Sequence, residues 1–210
     1  MINFSQKQEN LSRFFFASTS EVYAGTLKYF DLPIPTPEDN PLAITDLSNP
    51  RTSYMLSKIY GEALCQKSGI PFTIFRPHNI YGPRMGMAHV IPEIIKKVVE
   101  SDNNNIDVYS VNHKRTFCYI KDAVRMLWLL TESKHTIGET YNIGNEDEEI
   151  TMGDLAYKII GLVGKEIQIS PKPATIGSPE RRCPKMTKLS QAVSYKKKYQ
   201  LKKGLRETFN

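Results

Sequence analysis

The chain has 210 residues, of which 40% are hydrophobic and 24% charged, and its formal net charge is +6. This composition is typical of a globular chain that forms one large domain or two small ones. No apolar run approaches the roughly 20 residues that a membrane helix needs, and the first residues lack the pattern of a signal peptide. We therefore expect a cytoplasmic protein without a membrane partner. The cysteines are expected to be reduced thiols, because Cys65, Cys118 and Cys183 lack metal-ligand spacing.

Lysines near the end of the chain, at 196–198 and 202–203, supply much of the positive excess. A basic run can bind nucleic acid or an anionic surface. No nucleic-acid motif accompanies these lysines, so a solvated helix face is the favoured interpretation and nucleic acid is not an expected partner. A positive balance also suits an enzyme whose substrate carries a diphosphate.

Strand-like and helix-like segments alternate along the chain. Short apolar runs between polar residues are typical of buried strands, and apolar residues at helical spacing predict helices. Proline and glycine predict loops at 24–50 and 77–88. In chain order we predict the end of a surface helix at 2–10, a strand at 13–18, a helix at 52–67, a strand at 70–76, a helix at 89–100, extended segments at 106–110 and 117–120, a helix at 121–131, a strand at 140–143, a helix at 151–163, an extended segment at 167–173, and helices at 187–193 and 202–209.

This alternation predicts an α/β fold with a largely parallel sheet. Parallel sheets that bind dinucleotides normally begin with a strand, a Gly-rich turn and a helix, and the glycines let the pyrophosphate approach the helix N-terminus. No Gly-x-Gly-x-x-Gly motif or close relative occurs in the 210 residues. The sequence therefore lacks a segment that would cradle a dinucleotide.

Tyr54 and Lys58 are four residues apart in the predicted helix 52–67, so their side chains lie on one face. A tyrosine hydroxyl is a poor base at neutral pH, but a nearby ammonium stabilises the phenolate and lowers its pKa. The two residues can therefore form a proton-transfer pair. Taken alone, the same spacing is also common on an ordinary helix surface.

Thr19, Ser20 and Glu21 directly follow the predicted strand 13–18. Ligands bind at the carboxyl ends of strands in parallel sheets. The hydroxyls can hold a substrate alcohol, and the carboxylate can remove or deliver a proton. A helix cap is the alternative interpretation, but it explains one such residue more easily than three.

Three later segments place arginines in loops. They are Arg-Pro-His-Asn-Ile-Tyr-Gly-Pro-Arg at 76–84, Arg-Thr-Phe-Cys-Tyr-Ile-Lys-Asp at 115–122 and Pro-Glu-Arg-Arg-Cys-Pro at 179–184. Guanidinium groups bind phosphate oxygens in a fork-like geometry, so converging arginine loops could bind a diphosphate. Each arginine alone is more simply a surface charge.

Together, these five segments resemble the motifs of the extended short-chain dehydrogenase/reductase family, which includes nucleotide-sugar epimerases, dehydratases and decarboxylases. Members show a Ser-Thr-Ser-Glu-Val-Tyr-like loop, then Tyr-x-x-x-Lys, Arg-x-x-Asn-x-Tyr-Gly-Pro, Arg-x-Phe-x-Tyr-Ile-x-Asp and a late Arg-Arg-x-Pro. The chain has all five in that order, and the resemblance covers essentially its whole length.

The resemblance implies a role for each catalytic position. Tyr54 would be the base that takes the proton of the sugar 4-hydroxyl as hydride moves to NAD. Lys58 would tune Tyr54 and bind the nicotinamide ribose, so both residues would also contact the cofactor. Thr19 would contact the same sugar oxygen. Ser20 and Glu21 match the positions that carry the acid and the base for loss of water in dehydratases.

The resemblance also implies the substrate-binding positions. Asn79 would lie near the substrate phosphates, and Arg115 together with Arg181 or Arg182 would bind the diphosphate of a nucleotide-diphospho-sugar. The late motif departs from the family pattern, because Lys185 stands where an aspartate is usual. No metal is implied.

The implied function is an NAD-dependent nucleotide-diphospho-sugar epimerase or dehydratase that works through a 4-keto sugar. Oxidation at C4 acidifies the proton at C5, which a carboxylate such as Glu21 can take, whereas a simple 4-epimerase needs no such group. The segment 115–120 is more similar to epimerases and decarboxylases. A decarboxylase of the same family and a non-catalytic binding or scaffold relative therefore stay open.

The implied fold is an incomplete Rossmann-type doubly wound parallel sheet plus a smaller C-terminal substrate-binding α/β part. Residues 1–80 would be the C-terminal half of the NAD-binding domain, without its Gly-rich half. Residues 81–210 would mainly bind substrate, with some segments returning to the sheet. We expect strand 13–18 to expose an unpaired edge and the isolated chain to be inactive. Full-length members commonly pair through the Tyr-x-x-x-Lys helix, so a homodimer is expected when the protein is complete.

Overall fold

Helices and strands alternate in the computed structural model of the chain, which describes residues 1–175 and 177–209. The elements are α1 (Ile2–Ser5), β1 (Phe14–Ala17), a 3-10 helix (Ser20–Tyr23), α2 (Ala24–Tyr29), α3 (Thr52–Lys67), β2 (Phe72–Pro77), β3 (Ile80–Tyr81), α4 (Val90–Glu100), β4 (Asn105–Tyr109), β5 (Lys114–Arg115), β6 (Cys118–Tyr119), α5 (Ile120–Glu132), a second 3-10 helix (Lys134–Thr136), β7 (Glu139–Ile143), β8 (Ile150–Thr151), α6 (Met152–Val163), β9 (Gln168–Lys172), β10 (Arg181–Arg182), α7 (Thr187–Val193) and α8 (Leu201–Phe209).

A parallel three-stranded sheet, in the order β1-β2-β7, organises the first part of the fold. Phe14 of β1 is in register with Phe72 of β2, and Phe75 of β2 is in register with Tyr141 of β7. Residues far apart in sequence therefore meet in one sheet, and the last strand comes from 139–143. The predicted α/β fold with a parallel sheet is confirmed.

Side chains of β1 alternate between two buried layers. Phe14 and Phe16 pack with Cys65 of α3 on one face of the sheet. Phe15 belongs to the cluster on the other face, which contains Met126 of α5 and buried residues of α7. Helices cover both faces of a parallel sheet, which is the doubly wound arrangement that the sequence predicts.

Helix α3 packs closely against β1 because position 61 is glycine. A Cβ at Gly61 would overlap the ring of Phe16, so a larger residue would have to displace this ring or move the helix away from the sheet. Lys58 lies three residues earlier on the same helix. The close approach at Gly61 thus brings this part of α3 next to the end of β1.

A second core lies between α4, α6 and α8. Its largest fully buried residues include Ile91, Leu155, Ile159 and Leu205. The parallel pair β4-β9 packs beside α6, while β5 pairs with β8 and β10 and β3 pairs with β6. Thr151 caps α6 as its sequence position suggests, because its Oγ1 accepts a 3.0 Å hydrogen bond from the backbone N–H of Asp154.

The prediction of a loop over 24–50 is wrong for its first six residues, which form α2. Contacts with a later segment stabilise this short helix: Thr26 Oγ1 donates to the carbonyl of Pro41 and accepts from the N–H of Ala43. Gly25 lies so close to Ala43 that no side chain would fit. The local sequence pattern does not reveal these contacts, so it does not predict α2. The extended segment predicted at 117–120 is also shorter, because α5 already begins at Ile120.

Strand β1 lies at the edge of its sheet in the part of the chain that the structure describes. This agrees with the unpaired edge expected for residues 13–18. Over the same residues, every helix is too short or too polar to span a bilayer. Within 1–175 and 177–209, no group of three or more His, Cys, Asp or Glu side chains is placed to hold a metal ion.

Candidate active site

Tyr54 and Lys58 lie on one face of α3, and Lys58 faces the end of β1. Lys58 Nζ lies 5.7 Å from the Tyr54 ring centroid and donates a 3.0 Å hydrogen bond to the carbonyl oxygen of Ala17. Tyr54 is half exposed, with 50% of its surface accessible. The structure therefore brings the predicted proton-transfer pair to the carboxyl end of a parallel strand, with the tyrosine open to a ligand.

Thr19, Ser20 and Glu21 begin the 3-10 helix that follows β1. Thr19 Oγ1 accepts a 3.3 Å hydrogen bond from the N–H of Glu21, so it caps this helix. Ser20 is buried. The cap that sequence analysis weighed as an alternative exists for Thr19 alone. The side chains of Ser20 and Glu21 therefore take no part in this cap.

Glu21 joins two arginines from distant parts of the chain. Its Oε1 accepts a 3.0 Å hydrogen bond from Arg51 Nη2 and a 2.9 Å hydrogen bond from Arg182 Nη1. Both donors bind the same oxygen, so Oε2 has no donor among the described residues. Two guanidinium groups and one carboxylate leave an excess of positive charge around Glu21, and Arg51 is the N-cap residue of α3, the helix that carries Tyr54.

A cleft of about 380 Å³ is lined by these arginines, by residues of α4 and β4, and by Thr175, Ser178 and Pro179. Arg51, Asn79, Arg115 and Arg182 line one side of it. Asn79 has a positive φ of 43°, and its Nδ2 donates a 2.9 Å hydrogen bond to the carbonyl of Thr116. Three of the four predicted substrate-binding residues thus line a single cleft, together with Arg51.

Arg115 combines a wall position in the cleft with a structural role. Its guanidinium donates to Ser178 Oγ and to the carbonyls of Pro179 and Glu180, so it holds the segment that leads to Arg182. Burial, together with the nearby Arg182 charge, lowers the pKa of Arg115 to about 10. A bound anion would counter both effects.

Arg181 is the one predicted substrate-binding residue that does not line the cleft. Its Nε donates a 2.7 Å hydrogen bond to Glu149 Oε1, and its side chain is half exposed. Consecutive residues on a strand point to opposite sides. Because Arg181 and Arg182 form β10, only Arg182 can turn towards Glu21 and the cleft.

A buried ion pair links the elements that carry the site. Arg76 donates from Nε and Nη2 to the two carboxylate oxygens of Glu62, at 2.9 and 2.6 Å. Ser18 Oγ donates to the same carboxylate, and Arg76 Nη1 donates to Tyr23 Oη and to the carbonyl of Glu38. Burial favours the neutral guanidine, but the hydrogen bonds to Glu62 raise the pKa of Arg76. This network ties α3, β1, β2 and the loop at 38 together.

Comparison with known protein families shows to which family the chain belongs. Residues 1–144 match the model of the NAD dependent epimerase/dehydratase family. The chain belongs to this family. The match contains β1, α3 and β2, which carry the pair Tyr54 and Lys58 and the hydroxyl and carboxylate residues at 19–21.

Two curated members are similar over most of this chain. A UDP-N-acetyl-alpha-D-glucosaminuronate decarboxylase from Bacillus cytotoxicus is 33% identical over 206 residues, which cover 92% of this chain and 61% of that protein. UDP-glucuronic acid decarboxylase 5 from Arabidopsis thaliana is 30% identical over 205 residues, which cover 92% of this chain and 56% of that protein. The chain thus spans 56–61% of the length of these two members.

Solved structures of family enzymes share the fold. A UDP-glucuronic acid 4-epimerase from Bacillus cereus in complex with NAD superposes with a TM-score of 0.81 at 24% identity, covering 99% of this chain and 63% of that one. A dTDP-glucose 4,6-dehydratase from Streptomyces venezuelae gives 0.80 at 21% identity, covering 99% and 62%. At these identities the superposition shows a Rossmann-like α/β fold.

Sequence analysis of this epimerase/dehydratase family member missed Arg51, Glu62 and His78. Arg51 stands three residues before Tyr54, so helical spacing could have placed it beside the pair. Glu62 is four residues after Lys58, but its buried partner Arg76 comes from β2, and only a strand assignment joined to a helix face would reveal that pair. His78 carries no local signal, because its surroundings come from residues 20, 36, 142 and 182.

Proposed function

We propose that the chain is the substrate-binding and proton-transfer part of an NAD-dependent nucleotide-diphospho-sugar epimerase or dehydratase that works through a 4-keto sugar. The hydrogen bond from Lys58 to Ala17 carries this proposal. It brings Tyr54 and Lys58 to the strand end from which Thr19, Ser20 and Glu21 follow. Proton-transfer groups, hydroxyls and a carboxylate thus meet at the ligand-binding end of a parallel sheet.

Each residue has a distinct task in the proposed reaction. Tyr54 accepts the proton of the sugar 4-hydroxyl, and the Lys58 ammonium favours the phenolate that accepts it. Thr19 holds the same sugar oxygen. Ser20 and Glu21 supply the acid and the base if water is lost from C5 and C6. Family membership and the positions of these residues support this division of roles.

The residues present fit one end of NAD. Lys58 and the half-exposed Tyr54 would hold the nicotinamide ribose at the end of β1. NAD bound there would supply the hydride acceptor. The 210 residues contain no Gly-rich turn for the pyrophosphate, so this chain supplies the catalytic side of the cofactor site.

The cleft is the proposed site for the substrate diphosphate. Asn79, Arg115 and Arg182 all line the cleft, and the Arg182 guanidinium can present fork-like donors that match phosphate oxygens. Both Nη groups of Arg115 already donate to neighbouring protein atoms, so Arg115 contributes its positive charge and its Nε–H. Arg181 is not assigned this role, because it does not line the cleft. We assign the diphosphate to Arg115 and Arg182.

A nucleotide-sugar decarboxylase is the second candidate. Arg51 and Arg182 place two guanidinium groups on one oxygen of Glu21, and Arg51 is the N-cap residue of the helix that carries the catalytic pair. A sugar carboxylate is an anion that fits this excess of positive charge. The two curated relatives described above, both uronic acid decarboxylases, agree with such a substrate.

We further propose a cytoplasmic homodimer and retain the division into residues 1–80 and 81–210. The three cysteines are buried free thiols, which suits a reducing compartment. Helix α3 exposes Leu56, Tyr60 and Leu64 at intervals of four residues, and such an apolar stripe suits a helix–helix interface. The strand β7 returns to the sheet from the second part of the chain.

The test is incubation with NAD and a panel of UDP-, dTDP-, GDP- and CDP-sugars, followed by mass spectrometry of the products. The chain is expressed both alone and with any in-frame upstream coding sequence. Loss of 18 or 44 mass units, about one water or one carbon dioxide, separates dehydratase from decarboxylase, and epimerase products keep the substrate mass. Turnover that survives in Tyr54→Phe at the wild-type rate would refute the assigned base. Absence of turnover for every sugar in both forms would favour the non-catalytic relative.

A further inference from the structure

A small cavity lies behind the 3-10 helix that carries Ser20. Ser20, His78 and Arg182 contribute polar groups to its wall, and Leu27 and Ile34 contribute apolar ones. Its volume is about 10 Å³, which is close to the smallest space that holds one water molecule. Arg182 also lines the substrate cleft, so this cavity lies next to the proposed active site.

His78 presents an unsatisfied acceptor here. The side chain is 1% exposed, and its Nε2 lies 3.0 Å from Oδ1 of Asn142. Asn142 Nδ2 donates to the carbonyl of Thr36, so Oδ1 is the acceptor and His78 Nε2 must carry the hydrogen. Nδ1 is then an unprotonated acceptor, and it has no hydrogen-bond partner among the described residues. Leaving a buried acceptor unpaired is unfavourable, so a donor is expected.

Ser20 presents a second polar group without a protein partner. It is 6% exposed, and its hydroxyl makes no hydrogen bond to any residue in the described part of the chain. The neighbouring Thr19 caps the helix and Glu21 binds two arginines. Ser20 is therefore the member of this group whose hydroxyl orientation is not set by a direct protein contact.

We propose that one water molecule occupies this cavity and links His78 Nδ1 to Ser20 Oγ. The water donates one hydrogen to Nδ1 and the other to Oγ, and the Arg182 guanidinium can donate to its oxygen. Ser20 then has its own hydrogen free to point towards the substrate. His78 is a positioning residue that fixes Ser20 as a hydrogen-bond donor. This consequence for catalysis rests on the proposed function, whereas the water site itself does not.

Two substitutions distinguish the roles of the two ring nitrogens of His78. The amide of His78→Asn can place a polar atom near Nδ1, and that of His78→Gln can reach the Nε2 position and keep the contact with Asn142. We expect crystal structures to show the water in the wild type and in His78→Asn, and to lack it in His78→Gln. If His78 acted only through its Nε2 contact with Asn142, His78→Asn would be more impaired than His78→Gln. Ser20→Ala gives an independent test if either His78 variant fails to fold: the water should be lost or displaced.

The outcomes are decisive without any measurement of turnover. A dry cavity in the wild type, or a water retained unchanged in His78→Gln, would overturn the proposal. Nitrogen-15 NMR should show His78 protonated at Nε2 only, and protonation at Nδ1 would also overturn it. Where turnover is found, His78→Gln should lower kcat at least tenfold with KM unchanged, and His78→Asn should be less impaired. Because the isolated chain is expected to be inactive, only absence of turnover from the form with upstream coding sequence would count against the proposed function, and it would leave the water site unaffected.

Discussion

Lys58 Nζ lies 3.0 Å from the carbonyl oxygen of Ala17, the last residue of β1. This contact crosses 41 residues of sequence and joins the proton-transfer face of α3 to the strand end that precedes Thr19. On the same helix, Gly61 packs against the ring of Phe16, and a larger residue at this position would have to displace that ring. The placement of the catalytic pair therefore follows from helix–strand packing as well as from the spacing of Tyr54 and Lys58.

Replacing Lys58 should lower kcat strongly while changing the free energy of unfolding little. Lys58→Met removes the ammonium that favours the tyrosine phenolate, so we expect kcat to fall by about 10²-fold or more, within the range for general acid–base groups. The lost hydrogen bond is exposed, so the free energy of unfolding should change by no more than about 1 kcal/mol. Steady-state kinetics and urea unfolding measure the two effects. Lys67→Met, at an exposed position on the same helix, is the control, and an equal loss of kcat there would contradict the role of Lys58.

Substitutions in the buried pair of Arg76 and Glu62 should lower the free energy of unfolding far more than Lys58→Met does. Arg76→Met leaves the Glu62 carboxylate buried with only Ser18 as a donor, and removing one partner of such a pair costs about 3–5 kcal/mol. The double variant Arg76→Met with Glu62→Leu should lose less than the sum of the single variants, because no charge is left unpaired. Chemical unfolding of the three variants completes the cycle. Additive losses would show that the two side chains are not coupled.

The elements whose signals are local could be predicted from the sequence. Helix α3 has the predicted bounds, and β1 lies within the predicted strand, because apolar spacing and a strong breaker at 68–69 mark them. The positions of Tyr54, Lys58 and Glu21 followed from those elements. What could not be predicted depends on long-range contacts: α2 is held by Pro41 and Ala43, and Arg51 meets Arg182 on one oxygen of Glu21. No local pattern contains either relationship.

His78 should make stability depend on pH. Burial lowers the pKa of its imidazole to about 3, well below the ordinary value of 6.5. As pH falls below 6.5 the unfolded chain binds a proton that the folded chain does not bind, so stability is full above that pH and declines towards pH 3. The slope from this residue reaches at most about 1.4 kcal/mol per pH unit.

The window from pH 5 to 6.5 is the clearest place to measure this slope, because most carboxyl groups titrate lower. Urea unfolding across that window should show a steeper decline for the wild type than for His78→Asn, which cannot titrate there. His135→Asn, at an exposed position, is the matched control and should keep the wild-type slope. Parallel curves for the wild type and His78→Asn would show that this imidazole titrates alike in the folded and the unfolded chain.

The exposed stripe of α3 should govern self-association. Leu56, Tyr60 and Leu64 lie four residues apart, and Tyr60 is 64% exposed. If this stripe forms the proposed dimer interface, Tyr60→Glu buries a charge on association and should raise the dimer dissociation constant at least tenfold, or about 1.4 kcal/mol. Sedimentation equilibrium measures the constant. Tyr157→Glu on α6 is the control, and an equal effect there would point to a general loss of solubility.

The isolated chain should bind a nucleoside diphosphate more tightly than it binds NAD. The diphosphate finds Arg51, Arg115 and Arg182 along one cleft, whereas the pyrophosphate of NAD finds no Gly-rich turn in the 210 residues. Calorimetry should give UDP at least a tenfold lower dissociation constant than NAD, and added salt should weaken UDP binding because the contacts are ionic. Arg182→Ala should reduce UDP affinity, and Lys96→Ala, an exposed cation on α4 that does not line the cleft, should not. Tight NAD binding by this chain would contradict the prediction and would mean that residues other than a Gly-rich turn hold the pyrophosphate.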